Sequence, residues 1–218
     1  MTRLLFQKTG RAKYISHLDL MRTLQRSFVR AGVALRHTEG FNPHPYMSLA
    51  LPLSVGQESV CELLDCELLD SKAEDILAET LNPFMPEGIF AETAYTPRRK
   101  FSEIVWLEAE GILHCDSGLK PGVSAALTDY FTSKSIIIPK KTKHGLTEVD
   151  IVPLINYISF TQADETRLTL RAVIAAQNPT LNPEAIVKAI SRDLPKFAPD
   201  FAAFKRVELY DSELKKFR

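Results

Sequence analysis

The sequence predicts an α+β protein built from two tandem ferredoxin-like sandwiches. Two observations lead to this class. The strand-like and helix-like segments of the first half follow the order β-α-β-β-α-β, the split βαβ pattern of a ferredoxin-like unit, and the same order recurs in the second half. The composition agrees, since 45% of the 218 residues are hydrophobic and 25% are charged, as in an ordinary globular protein. We place the halves at residues 1–97 and 98–218, joined at Thr96-Pro97-Arg98-Arg99-Lys100.

The first half opens with a short strand at 2–8 and a helix from His17 to Ala31. Ser16 is a favourable N-cap, and Asp19 follows three residues later, where an acid can complete a capping box. Gly32 then ends the helix. The remaining elements of this half are expected as strands at 46–51, 59–69 and 89–95 and as a helix at 72–82.

The second half repeats this arrangement around an additional polar segment. Its helices are expected at 121–132 and 183–193, the first with a proline near its start. Ile136-Ile137-Ile138 is expected to be a short buried strand, and the segment from Lys140 to Gly145 a separate, polar hairpin-like stretch. The other strands are expected at 103–114, 155–161, 166–174 and 204–210.

The formal net charge of zero hides a strong separation of charge along the chain. Residues 1–46 contain eight Lys or Arg and two acids, whereas residues 47–95 contain one Lys and ten acids. Such asymmetry is typical of a charged binding face. Oppositely charged segments this close in sequence could also pair with each other inside the fold.

The first helix has arginines at four-residue spacing, Arg22, Arg26 and Arg30. Like charges at this spacing repel mildly, and a phosphate or RNA backbone would relieve the repulsion. The alternative is an ordinary solvated face. A second basic cluster, near Gly145 and Asp150, consists of Lys140, Lys141 and Lys143.

The loop Asn42-Pro43-His44-Pro45 is the most constrained segment, because each proline fixes its own φ and restricts the residue before it. In one interpretation the loop is a rigid connector, and the His44 ring packs under Phe41. In the other, the loop aims the His44 imidazole at a phosphate, a proton or a partner. We retain His17, His44 and Glu39 as candidate catalytic residues. We expect no metal site, because the histidine spacing matches no known ligand pattern.

Several functional classes lack their sequence signatures. The chain has no P-loop, no G-x-G-x-x-G, no H-E-x-x-H and no G-x-S-x-G. Its three cysteines, Cys61, Cys66 and Cys115, fit reduced thiols in a cytoplasmic protein. No apolar run approaches the ~18–20 residues of a membrane span, so we expect no membrane association.

The sequence resembles the radical-SAM-linked proteins, a bacterial family found alone or fused behind radical S-adenosylmethionine enzymes. The resemblance covers nearly the whole chain and rests on Ser16-His17-Leu18-Asp19, on Thr38-Glu39-Gly40-Phe41-Asn42-Pro43-His44-Pro45, and on Lys143-x-Gly145 with Asp150. It implies a radical SAM partner and an RNA-related or ribosome-related setting. Because C-x-x-x-C-x-x-C is absent, an iron–sulfur cluster and S-adenosylmethionine would belong to that separate partner, and we expect no cofactor in this chain. This chain has Val29-Arg30 where the family usually has paired arginines, and Tyr46 where it often has lysine.

We therefore expect an accessory binding module that works with a radical SAM partner and contacts RNA or ribonucleoprotein through a basic face. In this interpretation Arg22, Arg26, Arg30 and Lys143 touch phosphates, while Asn42 and His44 form a contact loop. One alternative is a metal-independent endoribonuclease with His17 or His44 as general base. Another is a protein–protein adaptor that docks through the acidic region 58–79.

Overall fold

The computed structural model describes residues 1–70, 73–132, 135–142 and 145–218. It has the expected α+β architecture and divides into two compact units. The first unit contains Met1–Glu103 together with Arg218, and the second contains Ile104–Phe217. Two residues between Pro97 and Glu103 contact the first strand of unit 1, since the Arg3 guanidinium donates to the Arg99 carbonyl oxygen at 2.9 Å and lies 4.3 Å from the Phe101 ring. Within the described ranges, no helix has the length and apolar character needed to span a bilayer.

The described residues of unit 1 form four strands and two α-helices. Its sheet has the order β4–β1–β3–β2, and each neighbouring pair is antiparallel. The first helix lies between β1 and β2 in the chain, and the second between β3 and β4. The elements are β1 (Thr2–Lys8), α1 (His17–Arg30), β2 (Met47–Leu49), β3 (Glu58–Cys66), α2 (Leu77–Leu81) and β4 (Ile89–Tyr95).

One face of α1 packs into the core of unit 1. Leu20, Leu24 and Phe28 are buried in the same cluster as Phe6 of β1 and Cys66 of β3. Burying a side chain of this size stabilises the fold by about 1.5–3 kcal/mol. Burial also raises the pKa of the Cys66 thiol to about 12. The opposite face of α1 is thereby fixed toward solvent, and it is the face with the arginines.

The second helix of unit 1 is shorter than the predicted 72–82. It begins at Leu77, and a 3₁₀ turn over Asn82–Phe84 follows it. The Glu74 carboxylate accepts hydrogen bonds from Thr2 and Thr96, which hold this residue outside the helix. The strands predicted at 46–51 and 59–69 are likewise shorter than expected, as the bounds of β2 and β3 show.

In unit 2, the part of the chain that the structure describes forms a four-stranded antiparallel sheet of order β10–β5–β9–β8, two α-helices and a separate hairpin. Phe131 of the first helix stacks on Phe160 of the sheet, with ring centroids 5.7 Å apart. The elements are β5 (Trp106–His114), α3 (Val123–Phe131), β6 (Ile137–Thr142), β7 (Gly145–Asp150), β8 (Ile155–Gln162), β9 (Arg167–Ala175), α4 (Glu184–Asp193) and β10 (Phe201–Tyr210).

The predicted division of residues 136–145 into a buried strand and a separate polar hairpin was wrong. The expected buried strand and the expected polar hairpin are one element, because β6 continues through Lys140 and Lys141 and pairs with β7. Ile136 and Ile138 are buried, whereas the Ile137 between them is 41% exposed. This alternation is typical of a strand with one covered face. The apolar run is therefore the start of the hairpin and not a strand of the sheet.

Candidate nucleic-acid interface

Part of the charge separation along the chain is neutralised inside unit 1. The guanidinium of Arg3 forms two hydrogen bonds, of 2.6 and 2.8 Å, with the carboxylate of Asp65. Lys13 lies 3.8 Å from Glu58, and Arg36 lies 3.1 Å from Glu67. Three carboxylates of the acidic region 58–79 thus pair with cations of residues 1–46. This pairing removes charge from the acidic docking face that the adaptor hypothesis requires.

The three arginines of α1 do not share one environment. Arg22 pairs with Asp19 one turn earlier, at 3.2 Å. Arg26 and Arg30 are exposed, and neither makes a hydrogen bond or ion pair with any residue that the structure describes. Two adjacent guanidinium groups therefore face solvent with their charge uncompensated.

Arg26 and Arg30 line a common groove of about 310 Å³. The helix side of the groove also presents the Thr23 hydroxyl, and a short turn after α2 forms the other side. The lining residues are Thr23, Arg26, Ser27, Arg30, Pro83, Phe84, Met85 and Pro86. The groove thus combines a cationic side with an apolar side.

Two side chains fix the apolar side in place. The buried Ser27 hydroxyl shares its one proton between two carbonyl oxygens, that of Phe84 at 3.0 Å and that of Thr23 in the preceding turn of α1 at 3.1 Å. The Asn82 side chain bonds both backbone groups of Ala91 on β4, donating to its oxygen at 2.9 Å and accepting from its nitrogen at 2.8 Å. The turn is therefore attached to α1 on one side and to the sheet on the other.

The start of α1 is occupied by a local capping arrangement. The Ser16 hydroxyl accepts from the Asp19 backbone N–H at 3.2 Å and donates to its carboxylate at 2.8 Å. His17 is the first residue of the helix and half-buried, and its ring makes no hydrogen bond with a described residue. Ser16 and Asp19 thus satisfy the helix start, and Asp19 also holds Arg22.

The loop of residues 38–45 is closed at its base and exposed at its tip. The Thr38 N–H donates to the His44 carbonyl oxygen at 2.9 Å, and the Thr38 hydroxyl accepts from the His44 N–H at 3.1 Å. Glu39, Gly40, Phe41, Asn42 and Pro43 are exposed, whereas Pro45 is half-buried. The interpretation that His44 packs under Phe41 was wrong, because the Phe41 side chain is fully exposed.

The His44 imidazole is held by its own loop. Its Nδ1 lies 3.0 Å from the Asn42 carbonyl oxygen, which can only accept, so Nδ1 carries the proton in this contact. This places the lone pair of the neutral ring on Nε2. Glu39, expected as a catalytic candidate, makes no hydrogen bond with His44 or with another residue in the described ranges.

The second-half motif lies at the β6–β7 hairpin. Lys140 and Lys141 belong to β6, and Gly145 begins β7 with a φ of +120°. Lys143 lies outside the described residues. The Asp150 carboxylate accepts from the Ile136 and Val152 N–H groups at 3.0 and 3.1 Å, and both bonds lower its pKa, the bond from Ile136 more strongly. Asp150 therefore closes the base of the hairpin.

The sequence did not predict a functional role for the residues at 82–86 that form the apolar side of the groove. Asn82 enters the sequence prediction only as the last residue of the helix at 72–82, and Phe84 has no predicted role. A signal was present, because prolines at 83 and 86 bracket Phe84 and Met85 and restrict this short segment. Among the residues that the structure describes, no group of three or more His, Cys, Asp or Glu side chains is placed to hold a metal ion.

Comparison with known families gives a match over most of the chain. Residues 2–183 match the family described as an uncharacterized protein conserved in bacteria, DUF2344. The chain belongs to the DUF2344 family. No curated protein matches it by sequence.

Solved structures resemble this DUF2344 member in fold. A chain in the crystal structure of a Cbf5–Nop10–Gar1 complex matches with a TM-score of 0.54 and 9% identity, covering 95% of this chain and 48% of that one. A chain in the archaeal box H/ACA sRNP Nop10–Cbf5 complex matches with a TM-score of 0.47 and 10% identity, covering 94% of this chain and 46% of that one. The DUF2344 chain thus spans about half the length of each. At 9% identity, the likeness to the first of these two chains shows the fold alone.

Proposed function

We propose that this protein is an accessory module that binds RNA through the groove between α1 and the turn at residues 82–86. One observation carries the proposal: Arg26 and Arg30 line the same groove, and neither guanidinium has a counter-ion among the described residues. Uncompensated guanidinium groups on adjacent helical turns attract a ligand with closely spaced negative charges. A phosphodiester backbone has this character.

The chemistry of the groove favours RNA over a simple anion. Guanidinium groups bind phosphate oxygens with a fixed, planar fork of donors. An apolar wall with an aromatic side chain lies across the groove from them, and a simple anion would leave that wall unused. A ligand with phosphates and flat, weakly polar bases matches both sides.

Binding of a fluorescent RNA oligonucleotide by anisotropy tests this function. We expect saturable binding with a dissociation constant of about 1–100 µM near physiological salt, the range of sequence-independent nucleic-acid binding. A protein that is folded by circular dichroism and shows no binding at low salt would contradict the proposal. An oligoglutamate of equal charge serves as control, and we expect it to bind more weakly.

We further propose that a radical SAM protein is the partner and that the loop 38–45 contacts it. Phe41 supports this role, because a fully exposed aromatic side chain on a hydrogen-bonded loop can act as an anchor at a protein interface. The base of the loop also supports it, since His37 and Pro45 line an apolar groove of about 620 Å³ together with Val29 and Leu69. The iron–sulfur cluster and S-adenosylmethionine would be held by that partner.

Co-purification tests the partner proposal. We expect a radical SAM protein captured with this chain from its native lysate to remain bound after nuclease treatment. Phe41→Ala is expected to reduce the captured amount about tenfold, the cost of removing a buried aromatic anchor. Phe90→Ala, which removes another exposed phenylalanine of unit 1, is the matched control. Loss of the complex on nuclease treatment alone would contradict direct contact.

We also propose that each unit is a ferredoxin-like sandwich. The support is the strand order, β4–β1–β3–β2 in unit 1 and β10–β5–β9–β8 in unit 2, with a helix after the first strand and another after the third. In unit 2 the β6–β7 hairpin is then an insertion between the first helix and the second strand. Lys140 and Lys141 of β6, together with Lys143 from the sequence prediction, are proposed as a further phosphate contact.

A further inference from the structure

We propose that the groove holds one unstacked nucleotide of single-stranded RNA, with its base against Phe84 and its flanking phosphates at Arg26 and Arg30. This inference rests on the proposed function and assigns the ligand of the same site. It predicts that the protein distinguishes single strands from duplexes, and RNA with bases from a bare sugar-phosphate chain.

The wall opposite the arginines has the composition of a stacking surface. Phe84 is 40% exposed, so its ring is held by the fold but remains partly accessible. Pro83, Met85 and Pro86 extend the apolar surface around it. Stacking on an aromatic ring tolerates any base, because every base has a π-face.

The wall is already organised before a ligand binds. The bond from the buried Ser27 hydroxyl to the Phe84 carbonyl oxygen fixes the turn on the α1 side. The two bonds of Asn82 to Ala91 fix it on the sheet side. A fixed aromatic surface loses little conformational freedom when a base stacks on it, which favours binding.

The cationic side matches the two phosphates of one nucleotide unit. Arg26 and Arg30 lie about 6 Å apart along the helix axis, since four residues rise about 1.5 Å each. The Thr23 hydroxyl lines the same side and can donate or accept a hydrogen bond. Each guanidinium can therefore bind the phosphate on one side of the nucleotide, while the base crosses the groove.

The volume of the groove limits the number of bases that it can hold. Its volume of about 310 Å³ lies at the lower end of the range for small-molecule sites, about 300–1,000 Å³. A volume at this end suits a single nucleotide. In an A-form duplex the bases are stacked on each other and cannot reach the wall.

Comparison of two oligomers distinguishes the contribution of the base to the affinity from that of the phosphates. We would measure the affinity of the full chain for an oligoadenylate of about ten nucleotides and for an abasic oligomer of the same length and charge. The wild type is expected to bind the oligoadenylate roughly fivefold or more tightly, the lower bound for stacking one base. Phe84→Leu keeps an apolar side chain and is expected to abolish this preference by lowering the affinity for the oligoadenylate to that for the abasic oligomer. Phe90→Leu, an equivalent change at a residue outside the groove, should leave both affinities unchanged.

The outcomes distinguish this inference from the function on which it rests. Equal wild-type affinity for the two oligomers, or a preference that survives Phe84→Leu, overturns the base site and leaves phosphate binding intact. Failure of both oligomers to bind overturns the inference and the proposed function together. Tighter binding to a duplex of the same sequence than to the single strand also overturns the inference.

Discussion

Replacing Arg26 and Arg30 together with glutamine is expected to weaken RNA binding by about tenfold or more at low salt. Exposed charge pairs are worth up to about 1 kcal/mol each, and a loss of about 1.4 kcal/mol is tenfold in affinity. Both side chains are exposed and bond to no described residue, so the fold should be unaffected. Anisotropy with the RNA oligonucleotide measures the change, and circular dichroism checks the structure.

Arg22→Gln is the matched control for this double variant. It removes a cation from the same helix, but one that Asp19 already neutralises in part at 3.2 Å. We expect less than a threefold change in affinity, because a compensated exposed charge contributes little. An equal loss in the control and in either single variant, Arg26→Gln or Arg30→Gln, would mean that general positive charge and not the groove holds the RNA.

The largest effect on stability is expected at the buried ion pair of unit 1. Asp65→Asn should lower the free energy of unfolding by about 3–5 kcal/mol, because it removes the negative charge that holds the buried guanidinium of Arg3 through two hydrogen bonds. Arg3 is 0% exposed, and its side chain also donates to the Arg99 carbonyl oxygen at 2.9 Å and stacks on Phe101 at 4.3 Å. In the variant, the Arg3 guanidinium therefore cannot become hydrated unless the surrounding fold opens.

Urea unfolding followed by circular dichroism measures this loss. Glu67→Gln is the control, since it breaks the more exposed pair with Arg36, and we expect a loss below about 1 kcal/mol. Similar losses in the two variants would contradict the assignment of Arg3 and Asp65 as a buried pair that unit 1 depends on.

The sequence predicted the local elements well where the signals are local. The strand at 2–8 and the helix from His17 were confirmed, and the Ser16–Asp19 cap acts between residues three positions apart. The start of α2 was misplaced because Glu74 bonds to Thr2 and Thr96, contacts between distant parts of the chain. The hairpin was predicted as two elements because the apolar run Ile136-Ile137-Ile138 shows no alternation of polar and apolar residues.

The candidate site also contains residues that the sequence identifies and residues that only the fold brings together. The sequence identifies the arginines of α1, and the pairing of Arg22 with Asp19 is visible in their spacing. It does not reveal that Asp65 and Glu67 neutralise Arg3 and Arg36, because these partners are brought together only by the fold. The Phe84 wall is hidden for the same reason, since it reaches α1 from more than fifty residues away.

The dependence of RNA affinity on salt tests the central claim most directly. Each phosphate contact to single-stranded nucleic acid contributes about 0.7 to the slope of log K against log salt. If Arg26 and Arg30 each bind a phosphate, the slope of the Arg26→Gln/Arg30→Gln variant should be shallower than that of the wild type by about 1.4. Parallel salt dependences for the two proteins would contradict the account, because they would mean that neither arginine contacts a phosphate.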